Sequence, residues 1–513
     1  MDMGETLSII VEDDKPFDEC GVAALSSVEG SDLAAQGHNV LTELQHRGQN
    51  AAGIAIAEHG AIKVKKDTGL VSEALPESTV REFATDAHHG IFHVRYSTVD
   101  VGSLKMQKRA AHPVKMKQKG VEVAIAENGH VGNTGELLEE AGHNPDKYIT
   151  DAEGITRLAL DYMLRGAPLE EAMASVAQRL EGAFTLVGLH GEKVVGLRDG
   201  HGFRPLALGS RGDDGWALAS ESGALGSGQA SFVRDVNPGE MVTIIGDNVW
   251  SEQAVDGKPE RLCLMELIYL ARPDTQIKGL EMATFRKELG RSLGSIVTHE
   301  ADVVFGVPDS GVPAAGGFAK ERGLPQVMGF VKNRYVGRTF ISSGQLRRSQ
   351  KVRMKLRPII DDVAGKRLDV IEDSVVRGTT ARAMVHMLRE AGATQVHLNV
   401  TSPPYKWPCF YGLDTGTRNQ LVAAVNEGDN DNEMLRNLNR YLGTDSLNYL
   451  PLDLTLSALN RAAKESRIRT GGGLYSRTGE SMGKSVCTAC FSRDYPTEIP
   501  EELLQITPRA TLL

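Results

Sequence analysis

Between Cys20 and about Val249, apolar positions come in short runs separated by turn residues. CGVAAL (20–25), GIAIA (53–57), IFHVRY (91–96) and VEVAIA (121–126) predict strands, since small, β-branched and aromatic residues suit a pleated buried surface. AFTLVGL, a HGEK turn and VVGLRDG predict a hairpin over 183–200, and WALASE and EMVTII predict two further strands. Residues 32–45 and 154–163 carry apolar positions at helical spacing, for example Ile155, Leu158, Ala159 and Tyr162. Strands dominate and hairpins join several of them, so packed, largely antiparallel sheets with flanking helices are expected.

After Arg261 the pattern changes. DVVFGV (302–307) is an apolar run ending in PDSG before helix-compatible residues. RLDVI (367–371) ends in EDSVVRGTT before ARAMVHMLREAG. The second helix has Thr379 or Thr380 as its expected cap, Met384, Val385 and Leu388 on one face, and Gly392 as its stop. Strand VHLNV follows, and such strand–loop–helix repetition predicts a parallel α/β sheet whose ligands lie beyond the carboxyl ends of its strands. Two domains of different class thus share one chain, with a boundary near 250–260 and no internal repeat.

The chain has 513 residues, 41% hydrophobic and 24% charged, with a formal net charge of −10. That length suggests two or three domains, and the acidic balance argues against a broad nucleic-acid-binding surface. No apolar run approaches the roughly 20 residues of a membrane-spanning helix. Residues 1–19 are acidic, with Lys15 the only base and a short apolar stretch around Leu7–Val11. Signal and transit peptides need basic residues there, so a cytoplasmic protein is expected, and composition alone reads the stretch as a disordered tail. Five cysteines, Cys20, Cys263, Cys409, Cys487 and Cys490, are too sparse and odd in number for a secreted disulfide framework.

Residues 371–380, IEDSVVRGTT, place two acids at a strand end and then a Ser/Gly/Thr-rich turn entering a helix. Backbone N–H groups at a helix start, with hydroxyls from Ser374, Thr379 and Thr380, can cradle a phosphate. Glu372 and Asp373 can accept from ribose hydroxyls or hold Mg²⁺ directly or through water. The acids precede the glycine, which is not the Walker order. The stretch, including Arg377 and Gly378, resembles the phosphoribosylpyrophosphate (PRPP) signature of type I phosphoribosyltransferases, with Glu372 where amidotransferase members usually have Asp. VPDSGVPAAGGFA (307–319) sets Asp309, Ser310 and Gly311 where a turn can bind pyrophosphate. KNRYVGRTF (332–340) and KVRMKL (351–356) gather Lys332, Arg334, Arg338, Arg353 and Lys355. A loop closing over pyrophosphate accounts for that local basic excess better than a solvated face does.

FDECGVAAL, LQHRGQNAAGI, HVRYST, ENGHVGN, TDAEG and GFRPLALG, in this order, resemble the glutaminase domain of the amidophosphoribosyltransferase family, and the likeness extends over nearly the whole chain. It implies an N-terminal-nucleophile glutaminase at 20–255, with stacked, largely antiparallel sheets and helices, then an α/β type I phosphoribosyltransferase at 256–480 with a mainly parallel sheet. A tail at 481–513 follows, and 1–19 become a propeptide. Once freed, the Cys20 α-amino group, with an ordinary pKa of roughly 7.7–8.0, can take the thiol proton. The resemblance assigns Arg95 to the glutamine α-carboxylate, Asp151 to the α-ammonium, Thr98 to the pocket lining, and Asn128 with the Gly129 N–H to the oxyanion. Asn50 stands where an acid is usual, Glu127 where His is usual, and Val99-Asp100 where a small residue and Gly are usual.

The remaining cysteines, Cys263, Cys409 and the Cys487-x-x-Cys490 pair, can complete a Cys₄ zinc site or a [4Fe–4S] cluster, and spacing does not choose. The family resemblance favours its iron–sulfur branch, with one structural, oxygen-sensitive [4Fe–4S] cluster per subunit tying the tail to the transferase domain. It also implies one Mg²⁺ per subunit at Ser310, Glu372 and Asp373, glutamine and PRPP as substrates, and ammonia passing through an internal channel. Feedback inhibition by purine nucleotides and a cytoplasmic homotetramer with no nucleic-acid or membrane partner complete the expectation. Asparagine synthetase and hexosamine-forming amidotransferases share such a front half but lack the PRPP loop. A non-enzymatic PRPP sensor would not need Cys20, Arg95 and Asn128 together.

Overall fold

The computed structural model describes residues 20–83, 87–96, 103–333, 348–415, 417–469 and 481–505. These fall into two compact units interleaved along the chain. One comprises Gly290–Lys406 and Asn419–Leu450; the other comprises the described residues within Asp18–Leu289, Trp407–Arg418 and Pro451–Leu513.

The second of these holds two antiparallel sheets. Strands β1 (Gly21–Ser31), β2 (Ala51–Glu58), β3 (Ala61–Thr68), β4 (Ala87–Arg95), β5 (Val114–Gln118), β6 (Val121–Val131), β7 (Gly182–His190), β8 (Lys193–Arg198), β9 (Ala207–Ser210), β10 (Trp216–Ala219), β11 (Ser231–Asp235), β12 (Glu240–Ile245) and β13 (Asn248–Gln253) follow in chain order. They pair as β11-β9-β10-β1-β4-β2-β3 and β13-β12-β8-β7-β6-β5. The two sheets share one core: Val22, Ala24 and Ile91 from the first pack with Ala124, Ala126, Val187 and Val242 from the second. Strand alternation sends Val123 and Ile125 to the opposite face, where they meet Ile155, Leu158 and Ala159 of the helix Asp151–Leu164. Residues of the helix Leu33–Glu43 cover the outer face of the first sheet, with Gly37 so close to Phe92 that a Cβ would overlap the ring at 1.8 Å.

The other unit is a four-stranded parallel sheet, ordered Val303–Gly306, Arg367–Glu372, Gln395–Val400 and Ser446–Tyr449. Its apolar face carries Leu368, Val370, Leu398 and Val400 against Met384, Val385 and Leu388 of the helix Thr379–Glu390. This agrees with the α+β and α/β classes expected from the sequence. One local expectation needs correcting: Gly378, not a threonine, caps the helix, with φ at +79°, and Thr379 is its first helical residue. Glycine enters the left-handed region without a Cβ penalty, which lets the loop turn sharply into the helix.

Candidate functional site

Cys20 immediately precedes β1 and Arg95 ends its antiparallel neighbour β4, so strand pairing alone brings them to one end of the sheet. Asn128 and Gly129 lie within β6, and Asp151 opens a helix capped by Thr150, whose side chain accepts from the Glu153 N–H. These residues line a cavity of about 40 Å³ with Tyr96, His112, Glu127 and Gly412. The sequence motifs, spread over more than a hundred residues, therefore meet in one place. The Asn-Gly pair is strand rather than turn. Gly129 has φ at +156°, and a Cβ there would lie 2.0 Å from the Ala183 carbonyl oxygen, so no other residue fits.

The half-buried Cys20 thiol lies 3.7 Å from the Tyr96 carbonyl, to which it donates. Burial pushes it up to about 11, against the lowering influence of Arg95. With its own nitrogen in a peptide bond, the thiol is thus a poor nucleophile and needs a base. Burial also lowers Arg95, which Cys20, Asp151 and Glu127 partly offset. The Asn128 side chain is fully buried, with neither its amide nitrogen nor its oxygen hydrogen-bonded. A buried amide normally finds partners, so this one is available to a ligand. Asp151 Oδ2 accepts from the Val131 N–H at 3.1 Å, which fixes the carboxylate at the cavity.

A buried ion-pair network holds Cys20 from behind. Arg47 Nε donates to the Cys20 carbonyl at 3.4 Å, and its Nη1 reaches Glu221 at 2.6 Å and Glu266 at 2.5 Å. Burial alone would raise the Glu221 carboxyl, but His46 and Arg47 more than offset it and hold it well below the usual range. Glu266 enters through a π-helical turn, Glu266–Leu270, a geometry that recurs at functional sites.

Cys263, Cys409, Cys487 and Cys490 are buried and free of disulfides. Leu262–Cys263 and Val486–Cys487 form a short parallel pair with the two cysteines in register. The Cys490 carbonyl accepts from the Trp407 N–H at 3.0 Å, and the Tyr411 N–H donates to Cys409 Sγ at 3.3 Å. Burial raises Cys487, and the nearby Cys263 and Cys409 raise it further. All four belong to the unit holding the antiparallel sheets, and the tail is tied through Cys487 to Cys263. Four buried, unpaired thiols, one of them accepting an N–H···S bond, are by chemistry a donor set that fits a thiolate-bound metal group. They are not drawn to single-ion spacing: among the described residues, no three His, Cys, Asp or Glu stand close enough together to hold a metal ion.

Gly412 links the two features. It follows Cys409 by three residues and lines the Cys20 cavity, and a Cβ on it would lie 3.3 Å from the Gly129 backbone. Arg204 Nη2 donates to the adjoining Tyr411 carbonyl, and Phe203 stacks on the Tyr411 ring with centroids 4.2 Å apart. Gly412 and the Arg47 network were given no role from the sequence, although Arg47 lies within LQHRGQNAAGI. The available signal was a glycine close to an isolated cysteine.

In the parallel-sheet unit, Glu372 ends its strand and Asp373 and Ser374 follow, all three buried. Neighbouring loops hold them: the Glu372 and Asp373 carbonyls accept from the Thr401 and Ser402 N–H groups, both at 2.9 Å. Ser374 Oγ donates to Asp373 Oδ1 at 2.6 Å, and Ser310 Oγ donates to the other oxygen. Ser310 thus stands at the carboxylate it was paired with from sequence. Val375 and Val376 are buried and anchor the loop, leaving Arg377, Thr379 and Thr380 partly exposed. The Pro308–Asp309 peptide is cis. Gly311 follows, where a Cβ would lie 2.6 Å from the Ile371 carbonyl oxygen. Lys332 pairs with Asp309 at 2.5 Å on the surface. A serine and two carboxylates at the strand ends fit the hard oxygen chemistry of Mg²⁺. Thr98, Arg334, Arg338 and residues 1–19 lie outside the described residues.

Folds and sites together define a class: an N-terminal-nucleophile glutamine amidotransferase carrying a type I phosphoribosyltransferase unit. A glutamine amidotransferase domain model matches residues 101–227. Amidophosphoribosyltransferase from Synechococcus elongatus is 39% identical over 495 residues, covering 96% of this chain and 94% of that one. Its counterpart from Mycobacterium bovis is 40% identical, covering 95% and 88%. Glutamine PRPP amidotransferase from B. subtilis, solved with ADP and GMP, superposes with a TM-score of 0.81 at 33% identity, covering 96% of this chain and all of that one. The chain belongs to the amidophosphoribosyltransferase family.

Proposed function

We propose that the chain takes ammonia from glutamine at Cys20 and transfers it to C1 of PRPP, giving glutamate, 5-phosphoribosylamine and pyrophosphate, the first committed step of purine synthesis. It is then a pentosyl-transferring glycosyltransferase. The observation that carries this reading is the buried, unpartnered Asn128 amide facing the same cavity as Cys20, Arg95 and Asp151. Removal of residues 1–19 frees the Cys20 α-amino group, which accepts the thiol proton as sulfur attacks the amide carbon. Arg95 takes the α-carboxylate in two parallel hydrogen bonds, Asp151 takes the α-ammonium, and Thr98 completes the pocket. The oxyanion accepts from Asn128 Nδ2 and the Gly129 N–H, the proton passes to the leaving ammonia, and water releases glutamate from the thioester.

At the second site Glu372 and Asp373 hold the ribose hydroxyls, and Ser374, Arg377, Gly378, Thr379 and Thr380 cradle the 5-phosphate. Asp309, Ser310, Gly311, Lys332, Arg334 and Arg338 receive pyrophosphate. Ser310, Glu372 and Asp373 would hold Mg²⁺, which offsets pyrophosphate charge when bound. Cys263, Cys409, Cys487 and Cys490 would hold a [4Fe–4S] cluster, which cross-links the tail; finding zinc instead of iron and sulfide would refute that part. The domain limits 20–255, 256–480 and 481–513, feedback by purine nucleotides, a homotetramer and a cytoplasmic location belong to the same proposal. No helix among the described residues is long and apolar enough to cross a membrane. The test is pyrophosphate release from PRPP with glutamine. Asp373→Ala abolishes it while glutaminase activity persists at least in part; unchanged synthesis in that variant refutes the PRPP site.

A further inference from the structure

Strand β6 sends Ala124 and Ala126 into the core between the sheets, and Val123 and Ile125 toward the helix Asp151–Leu164. The same alternation turns Glu127 to the helix side, where Asp151 lies, and Asn128 to the Cys20 side. The Glu127 side chain is 2% exposed and lines the amino-acid cavity, and its Oε1 is buried without a hydrogen-bond partner. We propose that Glu127 is a specificity-determining residue of this pocket: its uncharged carboxylic acid donates to Asp151 and offers Oε1 to an N–H of the substrate α-ammonium.

Charge supports the neutral form. Arg95 and Asp151 already balance one another, so a second carboxylate in this buried place would stand uncompensated. Burial first, and then the charge and hydrogen-bonding reach of Asp151, raise the Glu127 carboxyl well above its ordinary value, with only Arg95 opposing. The histidines around it add no positive charge at neutral pH, while the buried Lys66, lowered to about 8, keeps its charge near His93 and His112. His93, whose Nε2 is 2.9 Å from the Glu127 carbonyl, is lowered to about 3, first by burial. Burial likewise lowers His112, in ring contact with His93, and His130, 3.9 Å from Asp151. An ammonium has three N–H groups, and Asp151 already spends one oxygen on the Val131 N–H. Oε1 supplies the missing acceptor. A ligand lacking the amino group would leave that oxygen buried and unpaired, which is how a polar pocket rejects an analogue.

The inference rests on the reading that Arg95 and Asp151 hold glutamine. The test compares glutaminase kinetics for glutamine and for glutaramate, which lacks the α-amino group, in the full-length protein and in Glu127→Gln, Glu127→Leu and Asp151→Asn. Glu127→Leu is expected to raise the glutamine KM by about tenfold and narrow the preference for glutamine over glutaramate to match. Ammonia-dependent pyrophosphate release from PRPP stays unchanged, which shows that the variant is folded. Glu127→Gln, which keeps a donor and an acceptor without charge, retains the wild-type KM and preference. An unchanged preference in Glu127→Leu overturns the proposal, as does a Glu127→Gln variant as impaired as Glu127→Leu. Asp151→Asn separates the failures: if it too leaves KM unchanged, the amino-acid pocket is wrongly placed, and if it alone raises KM, only the role of Glu127 falls.

Discussion

Cys20, Arg95, Glu127 and Asp151 meet at a small cavity where burial moves the first three away from their ordinary ionisation. Glu372 and Asp373 are just as buried, at the carboxyl end of a strand of the parallel sheet, where the Ser310 and Ser374 hydroxyls donate to the Asp373 carboxylate and the Asp373 N–H donates to Glu372 Oε1. On the proposed function the first region carries out covalent chemistry on a neutral amide, for which burial excludes water and tunes a few groups. On the proposed function the second receives a multiply charged substrate, for which it offers positioned oxygens and a helix start. The difference teaches that buried carboxylates differ by their partners: Glu127 Oε1 has no hydrogen-bond partner, whereas both oxygens of Asp373 accept from serine hydroxyls.

Cys20→Ala breaks the comparison most severely. Glutamine-dependent synthesis is expected to vanish while ammonia-dependent pyrophosphate release persists, read by parallel assays with the two nitrogen donors. Next in size is Arg47→Met, which strands Glu221 and Glu266 as buried carboxylates and is expected to cost about 3–5 kcal/mol, measured by denaturant unfolding. Asn128→Ala removes one oxyanion donor and is expected to lower glutaminase kcat by about 10²–10³-fold, with KM little changed and the ammonia-dependent reaction intact.

The smallest effects concern pH. The folded chain keeps a proton on Glu127 that the unfolded chain releases near its ordinary value of 4.5, so this residue makes stability fall as pH rises above that value. Glu127→Gln removes that slope. Glu221 has the opposite sign: its folded value is depressed, so the stability it contributes is present above 4.5 and lost as pH falls toward its folded value. Urea midpoints across pH in the wild type and in Glu127→Gln and Glu221→Gln measure both slopes.

Much of this organisation was legible in the sequence because the chemistry lies at strand ends. The apolar runs before Asp309 and Glu372 marked the two strands and the loops that follow them, and the motifs at Cys20, Arg95, Asn128 and Asp151 located the cavity. Less legible were features that depend on distant pairing. Nothing local marks Arg47 as the partner of Glu221 and Glu266, since a buried ion pair joins residues more than 170 positions apart. The Asn-Gly pair reads locally as a turn, but pairing of β6 with β7 keeps it extended. The Gly378 cap followed the same logic: threonine is the better N-cap by composition, but the loop needed a left-handed residue first.

The central claim is that Cys20 acts with its own freed α-amino group. Mass spectrometry of the N-terminus of the active protein, taken alongside a glutaminase assay on the same sample, tests it directly. The account predicts a chain that begins at Cys20 and lacks residues 1–19. Full glutaminase activity in a chain whose Glu19–Cys20 bond is intact would contradict it.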